Sequence, residues 1–407
     1  MMSIFRNRDF SKLFTARLIS TIGDKFFSFA VEWWIISSAI ENGKAILGFI
    51  MGAATLGTIL FAPMAGVFSD RYSKKKCMVV ALSGGAIVIA LLLMFLPTFL
   101  LLPMLFAVPQ VLLMAFESLF QTSMQSSLNY IVGKEQLSQA VSITSSIQPI
   151  SIIVGSILAG LLIEHWGISG AFTVDMLTFL LSVVFVIRIA TVFPIKHVAK
   201  KAKSVKNTFV QDLKEVVLFL YRDKPLFYVV LILGIINFFM GPITISLPIL
   251  AKETFNGTAM TMSLFQSMMG AGTVIGAMVL SFVTRPLNQY VVLFRSTLVI
   301  GLMYLVTVIH SQMIVSGALV VIGIAMVAVN ISAMVMAQNY VPTYIQGRFF
   351  SIVTSLLVII TPLGFSVTGF LANHFPIEYV LGGCGIMLCL ISPIILFIPR
   401  IKITYTI

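Results

Sequence analysis

Charge is what this 407-residue sequence has least of: Asp, Glu, Lys and Arg make up 10% of it, against about 25% in an ordinary soluble chain. Acidic residues are the scarcer sign, 14 against 26 Lys and Arg. Such a chain is excluded from the water-soluble class. Cysteine is limited to Cys77, Cys384 and Cys389 with no CxxC pair, and His165, His197, His310 and His374 are scattered, so neither a disulfide framework nor a metal cluster is expected. No GxxxxGK[ST], HExxH or GxSxG occurs, which excludes ATP-driven work by this chain alone and removes common hydrolase signatures. Neither an enzyme nor a cofactor is expected.

What is present is apolar: 59% of the residues, with a mean hydropathy of +1.06. A membrane-crossing helix takes about 20 such residues, and backbone amides in lipid must be satisfied within the segment. The apolar runs are too long for the alternating strands of an outer-membrane barrel. Cut at polar residues, Pro and Gly, they fall at 13–39, 45–68, 76–96, 99–127, 138–163, 170–190, 226–251, 260–284, 289–309, 314–339, 347–373 and 378–399. The expected fold class is therefore an all-α membrane protein of twelve transmembrane helices. The longest polar stretch divides it into two six-helix bundles, 1–190 and 226–407, with a linker at 191–225. Lys196 to Lys206 precede Phe209, Leu213, Val216, Val217 and Leu220 at helical spacing. The linker thus reads as an amphipathic segment on the anionic inner leaflet or as an ordinary basic loop.

The cations set the orientation. With the N-terminus inside, 21 Lys and Arg fall on cytoplasmic ends and loops, while Lys44 and Lys252 alone fall outside; Arg17, Lys25 and Arg295 lie within spans. This positive-inside asymmetry places both termini in the cytoplasm and the chain, multi-pass, in the cell (inner) membrane. The first nine residues carry charge and no cleavable apolar region, so no removable signal peptide is expected. The +12 net charge is accounted for by these loops and calls for no nucleic acid.

An ionisable side chain inside a span costs about 2.5–3.5 kcal/mol on insertion scales and is a functional candidate by default. The candidates for carrying protons are Asp24, Glu32, Glu117 and Asp175, all in the first half. Asp24 and Arg17 are seven residues apart, two turns along nearly one helix face. The alternatives are that Asp24 forms a structural ion pair with Lys25 or Arg17, that Glu32 beside Trp33 and Trp34 reaches the outer interface, and that Asp175 caps a helix. Arg17, Trp33, Asn237, Asn330, Gln338 and Asn339 are candidates for lining a substrate cavity, since unpaired amides are costly in lipid. Gly270-Ala271-Gly272 with Gly276 superficially matches GxGxxG, but within an apolar span it reads as close helix packing rather than dinucleotide binding.

Between the second and third spans stands Gly66-Val67-Phe68-Ser69-Asp70-Arg71-Tyr72-Ser73-Lys74-Lys75-Lys76. It resembles the loop signature G-x-x-x-D-R-x-x-R/K-R/K of the major facilitator superfamily. The resemblance implies the major facilitator fold and a cytoplasmic gating motif of Gly66, Asp70, Arg71, Lys74 and Lys75, in which Gly66 permits close helix approach and the charges link helix ends. Further short motifs, Leu13 to Ser20 with Gly23-Asp24, Val174 to Phe179, Asn237-Phe238-Phe239 and Gly347 to Ser351 with Pro362 and Gly364, are similar to the drug:proton antiporter branch that holds macrolide efflux permeases and the enterobactin exporter. That similarity implies proton-coupled export of amphipathic drugs such as macrolides by alternating access, hence multidrug efflux and antibiotic resistance. Export of a siderophore, peptide or other endogenous metabolite is the alternative, and a polytopic membrane receptor the non-transport one. The partners expected are a small-molecule substrate, protons and the lipid bilayer, around a monomer. The fourth span departs from the branch in offering the carboxylate of Glu117 where an arginine motif is usual, and the fifth lacks the Gly-Pro antiporter motif.

Overall fold

The computed structural model describes residues 4–38, 40–191, 224–282, 288–341 and 343–397. Linker residues 192–223, Arg285, the C-terminal Arg400 and Lys402, and the side chain of Arg348 lie outside that description. Among the described residues there is no strand. The helices are α1 (Arg8–Ser37), α2 (Gly43–Arg71), α3 (Lys74–Met94), α4 (Ala107–Val132), α5 (Leu137–Ser145), α6 (Ile147–Ile187), α7 (Lys224–Met240), α8 (Pro242–Ile249), α9 (Ala259–Ser281), α10 (Gln289–Val306), α11 (Gln312–Tyr340), α12 (Thr343–His374) and α13 (Ile377–Ile391).

Among the described residues, ten helical stretches are long and apolar enough to cross a membrane. Two stretches account for the difference from the expected twelve. One is α1, whose 30 residues extend about 45 Å at 1.5 Å each but carry Arg17, Asp24, Lys25 and Glu32. The other comes from 137–187, counted once at 51 residues, or about 76 Å of helix for a hydrocarbon core of about 30 Å. Gly167 breaks it at φ 65° and ψ −169°, a conformation that only glycine adopts without strain. That break falls where the sequence separates its fifth and sixth spans.

The fourth span starts later than expected, at Ala107 rather than near residue 99. Pro97 and Pro103 each lack an amide hydrogen, so the chain between α3 and α4 forms only one short helix, Leu96–Leu101, and a 3-10 turn at Pro103–Phe106. The seventh span is interrupted in the same way. Pro242 follows Gly241, Thr244 N–H turns to the Gly241 carbonyl, and the Met240 carbonyl accepts a hydrogen bond from Tyr304 Oη at 2.8 Å instead.

Packing gathers the described residues into two compact units, one drawn from Met1–Val198 and Ala251–Ser267, the other from Ala199–Leu250 and Met268–Ile407. In the first, α1 lies against both arms of the broken α6. A Cβ on Gly155 would stand 2.9 Å from Lys25 Cβ, and a Cβ on Gly23 would overlap Thr178 Oγ1. The start of α1 and the end of α6 are pinned together by Asp9, whose carboxylate accepts from Ala190 N (3.0 Å), Thr191 N (2.7 Å) and Thr191 Oγ1 (2.7 Å) and pairs with Lys12 at 3.0 Å. Burial opposes this charge, but the donors prevail and hold the Asp9 carboxyl at about 2, below its ordinary 3.8.

In the second unit the glycine-rich stretch of α9 does pack closely. A Cβ on Gly272 would collide with the Val320 backbone and one on Gly276 would come within 2.9 Å of Ile324 Cα, while Gly323 of α11 faces Met269 and Thr273 in return. This is small-residue packing of the kind that lets two membrane helices touch backbone to backbone.

Candidate functional site

Arg17, Asp24, Glu117 and Asp175, four of the six ionisable residues expected inside the first six spans, share one neighbourhood in the first unit. Arg17 is 2% exposed, and its guanidinium meets Glu117 of α4 through two hydrogen bonds, Nη1 to Oε2 at 2.6 Å and Nη2 to Oε1 at 2.5 Å. Parallel bonds of this kind are the strongest arrangement open to an arginine and a carboxylate. The guanidinium also lies 5.5 Å from the centre of the Phe120 ring, within cation–π range. Glu117 is therefore neutralised by a full partner. Neither Arg17 nor Glu117 was assigned this pairing by sequence spacing, since they stand 100 residues apart.

Asp24 is within electrostatic reach of Arg17, Glu117 and Lys25. Among the described residues none donates a hydrogen bond to its carboxylate, so the ion pair expected with Lys25 or Arg17 is not formed as a contact. Asp175 of α6 is wholly buried and within electrostatic reach of Asp24. Both its carboxylate oxygens lack a hydrogen-bond partner, and it sits mid-helix rather than at a cap. Only the absence of a side chain at Gly23 makes room there: a Cβ at that position would be 2.7 Å from Asp175 Oδ1. Burying an uncompensated carboxylate is expensive, which sets Asp175 apart from Glu117, while Asp24 is only partly buried.

Glu32, just over two turns beyond Asp24 on α1, is held differently. Gln266 of α9 donates Nε2–H to Glu32 Oε2 at 3.0 Å and accepts from Ser156 Oγ at 2.8 Å through its own Oε1. The Ser156 bond leaves the amide nitrogen pointing at Glu32. Close by, Lys252 Nζ lies 6.0 Å from the Trp33 ring centre, Lys44 pairs with Glu253 at 2.7 Å, and Glu164 Oε1 accepts from Met260 N at 3.2 Å. Trp33 is thus 9% exposed and enclosed by protein.

The loop motif between α2 and α3 makes its contacts inside the first unit. Lys74 Nζ folds back onto the Ser69 carbonyl in the last turn of α2 and lies 3.4 Å from Asp70 Oδ1, a placement that suits a cation at a helix C-terminus. Lys75 Nζ donates to the Ile189 carbonyl at 2.8 Å. Arg71 and Asp70 are exposed. Among the described residues Gly66 has no atom within 4 Å of where a Cβ would stand, so none of them makes the close approach expected of it.

In the second unit, Asn237 of α7 and Asn330 of α11 line one cavity of about 410 Å³ together with Thr354 and Phe350 of α12. Each asparagine turns its Nδ2 onto its own helix, Asn237 to the Leu233 carbonyl at 2.8 Å and Asn330 to the Met326 carbonyl at 2.9 Å. Gln338 and Asn339 lie exposed near the end of α11 and outside this cavity. Among the described residues no group of three His, Cys, Asp or Glu is arranged to hold a metal.

The family profile described as Major Facilitator Superfamily matches residues 13–360. Macrolide efflux protein A of Streptococcus pyogenes is 22% identical over 385 residues, 91% of each chain. The staphyloferrin A transporter of Staphylococcus aureus is 21% identical over 391 residues, 95% of each. Among solved structures, the nucleoside transporter NupG superposes with a TM-score of 0.77 at 12% identity over 97% of this chain and 100% of its own. A D-xylose-proton symporter does so with 0.70 at 13% identity over 98% and 99%. The likeness to these structures is one of fold.

Proposed function

Because this chain belongs to the major facilitator superfamily of membrane transporters, we propose that it is a proton-coupled exporter of amphipathic molecules such as macrolides, working by alternating access in the cell membrane with both termini cytoplasmic. The observation that carries the coupling is the unequal treatment of the four carboxylates. Arg17 occupies Glu117 with two hydrogen bonds and Gln266 engages Glu32, whereas both carboxylate oxygens of Asp175 lack a hydrogen-bond partner among the described residues and Asp24 is reached by its neighbours only electrostatically. Protons therefore load at Asp24 and Asp175, beside the fixed Arg17–Glu117 charges. Glu32 and Glu117 hold position rather than protons. The substrate enters against Asn237 and Asn330, the two amides that share a cavity.

Likeness to macrolide efflux protein A over most of both chains supports the drug class. Likeness to the staphyloferrin A transporter supports export of a siderophore as the second reading. The test is erythromycin uptake into inverted vesicles, or efflux from right-side-out ones, under an imposed proton gradient. The wild type is expected to respond to the gradient, and Asp24→Asn to lose at least tenfold of the driven component while keeping counterflow exchange. Gradient-independent efflux in the wild type, or an unaltered Asp24→Asn variant, refutes the coupling.

A further inference from the structure

Beside the asparagine cavity the second unit carries a groove of about 670 Å³ between α7 and α12. All eleven residues that line it are apolar, and neither asparagine is among them. A molecule with hydrogen-bonding groups would leave them unpaired against such a wall, whereas an alkyl chain has none to lose. Phe227, Leu231, Leu356 and Ile359 in that wall are 39–49% exposed, so the groove is open rather than enclosed. Open apolar surface at membrane depth is covered by hydrocarbon.

The depth of the groove fits one leaflet. Its lining residues on α7 run from Phe227 to Phe239, twelve steps of 1.5 Å, or about 18 Å along the axis. The apolar span begins at Leu226, and half of a hydrocarbon core of about 30 Å is about 15 Å. The groove therefore reaches from the membrane surface to about the midplane, which is the depth a phospholipid acyl chain occupies.

A cation stands at the surface end. Lys224 is exposed and opens the helical row Lys224, Phe227, Leu231, Gly234, Phe238, whose later members all line the groove. Seven residues return a helix to within about 20° of the same face, so Lys224 heads the face on which Leu231 lies. In sequence, Arg222 and Asp223 come just before it, and residues 196–224 carry eight Lys and Arg against three Asp and Glu. Each such cation near a bilayer surface favours anionic lipid by a factor of about five.

We propose that the α7–α12 groove binds one anionic phospholipid, with an acyl chain along Phe227 to Phe239 and the head on Lys224. The inference rests on the orientation proposed above only for the leaflet: with the linker cytoplasmic, the lipid belongs to the inner one. A zwitterionic lipid with the same chains fits the hydrocarbon wall but sets its own cation against Lys224, and is held less well.

The test reads lipid occupancy in phosphatidylcholine nanodiscs holding the full chain. Leu231→Trp is the groove reporter, and Leu390→Trp, at an exposed position of α13 outside the groove, is the control. Subtracting the chain without either substitution removes Trp33, Trp34 and Trp166. Dibrominated phosphatidylglycerol is expected to half-quench the groove reporter at about one fifth of the mole fraction needed at the control, and dibrominated phosphatidylcholine to show no such difference. Lys224→Gln is expected to reduce the preference at least twofold. Gly234→Leu fills the groove where a Cβ would already stand 3.0 Å from Ile360 Cδ1, and should bring the two reporters together. Equal half-quenching fractions at both reporters in the unaltered groove overturn the proposal, because the groove then holds ordinary surrounding lipid. A preference that Lys224→Gln leaves intact overturns it as well, as does relief of the quenching by erythromycin, which makes the groove a drug site. A nanodisc presents both leaflets, so the preference is read whichever way the chain inserts; linker lysines labelled only from outside the cell fail the orientation reading and leave the site standing in the other leaflet.

Discussion

Replacing Glu117 by leucine isolates the arginine that the first unit is built around. Arg17 would keep its charge at 3% side-chain exposure with its two-point partner gone, whereas Glu117 itself is 25% exposed. Removing one member of a buried pair costs about 3–5 kcal/mol because the other charge is left uncompensated, while removing both is often close to neutral. The three variants are therefore expected to rank unequally. Glu117→Leu loses most, Arg17→Leu less because the remaining carboxylate keeps part of its surface open, and the double variant recovers nearly to wild type. At about 2.1 cal/mol/K per residue, 407 residues correspond to about 0.85 kcal/mol/K, so the single Glu117→Leu loss is about 4–6 °C in melting temperature. Thermal unfolding in nanodiscs, monitored by tryptophan fluorescence, gives the ranking directly. A Glu117→Leu protein that melts within about 1 °C of wild type, or a double variant as unstable as the two single losses combined, refutes the assignment of this pair as a mutually dependent unit.

Two further outcomes follow from the same unit. Asp9 has its carboxyl held near 2 against an ordinary 3.8, so its contribution is fully present above about pH 4 and lost as the pH falls toward 2; the stability gap between wild type and Asp9→Asn, measured by melting from pH 6 to pH 2.5, should close over that interval, and a gap independent of pH contradicts the donor geometry at Thr191. Gly23→Ala puts a Cβ into Thr178 and against Asp175, an overpacking worth roughly 1–3 kcal/mol; it is expected to melt lower than wild type, and Gly23→Ala combined with Thr178→Ala to recover part of the loss, whereas an unchanged single variant contradicts the close α1–α6 contact.

Much of the architecture is legible in composition and spacing, because the bilayer imposes a length and a hydropathy on every crossing helix. The turn at Gly167 and the close packing of Gly272 and Gly276 are of this kind: glycine's tolerance of φ 65° and its lack of a side chain are properties of the residue itself. The late start of α4 is a failure of the same method, since hydropathy continues through Pro97 and Pro103 while hydrogen bonding does not. The carboxylates were visible as candidates, but their partners were not. Whether Arg17 meets Asp24, seven residues away, or Glu117, 100 residues away, depends on the rotation and tilt of two helices, which packing sets and hydropathy leaves open. Gln266 escaped notice for the same reason: as one amide in a polar-flecked span it carries no signal until Glu32 and Ser156 flank it. An alternation of unpaired small and polar residues facing across α1 and α6, Gly23 against Asp175 and Thr178, is the signal that was available.

The four bonds at Asp9 fix where force enters the first unit. The chain that leaves Thr191 is tied at its first step to the opening turn of α1 rather than hanging from the frayed end of α6. Tension along it is thus delivered to the helix that bears Arg17, Asp24 and Glu32, which makes the opening turn of α1 a mechanical anchor, and a bulky group introduced close to Asp9 a perturbation of the charged helix itself.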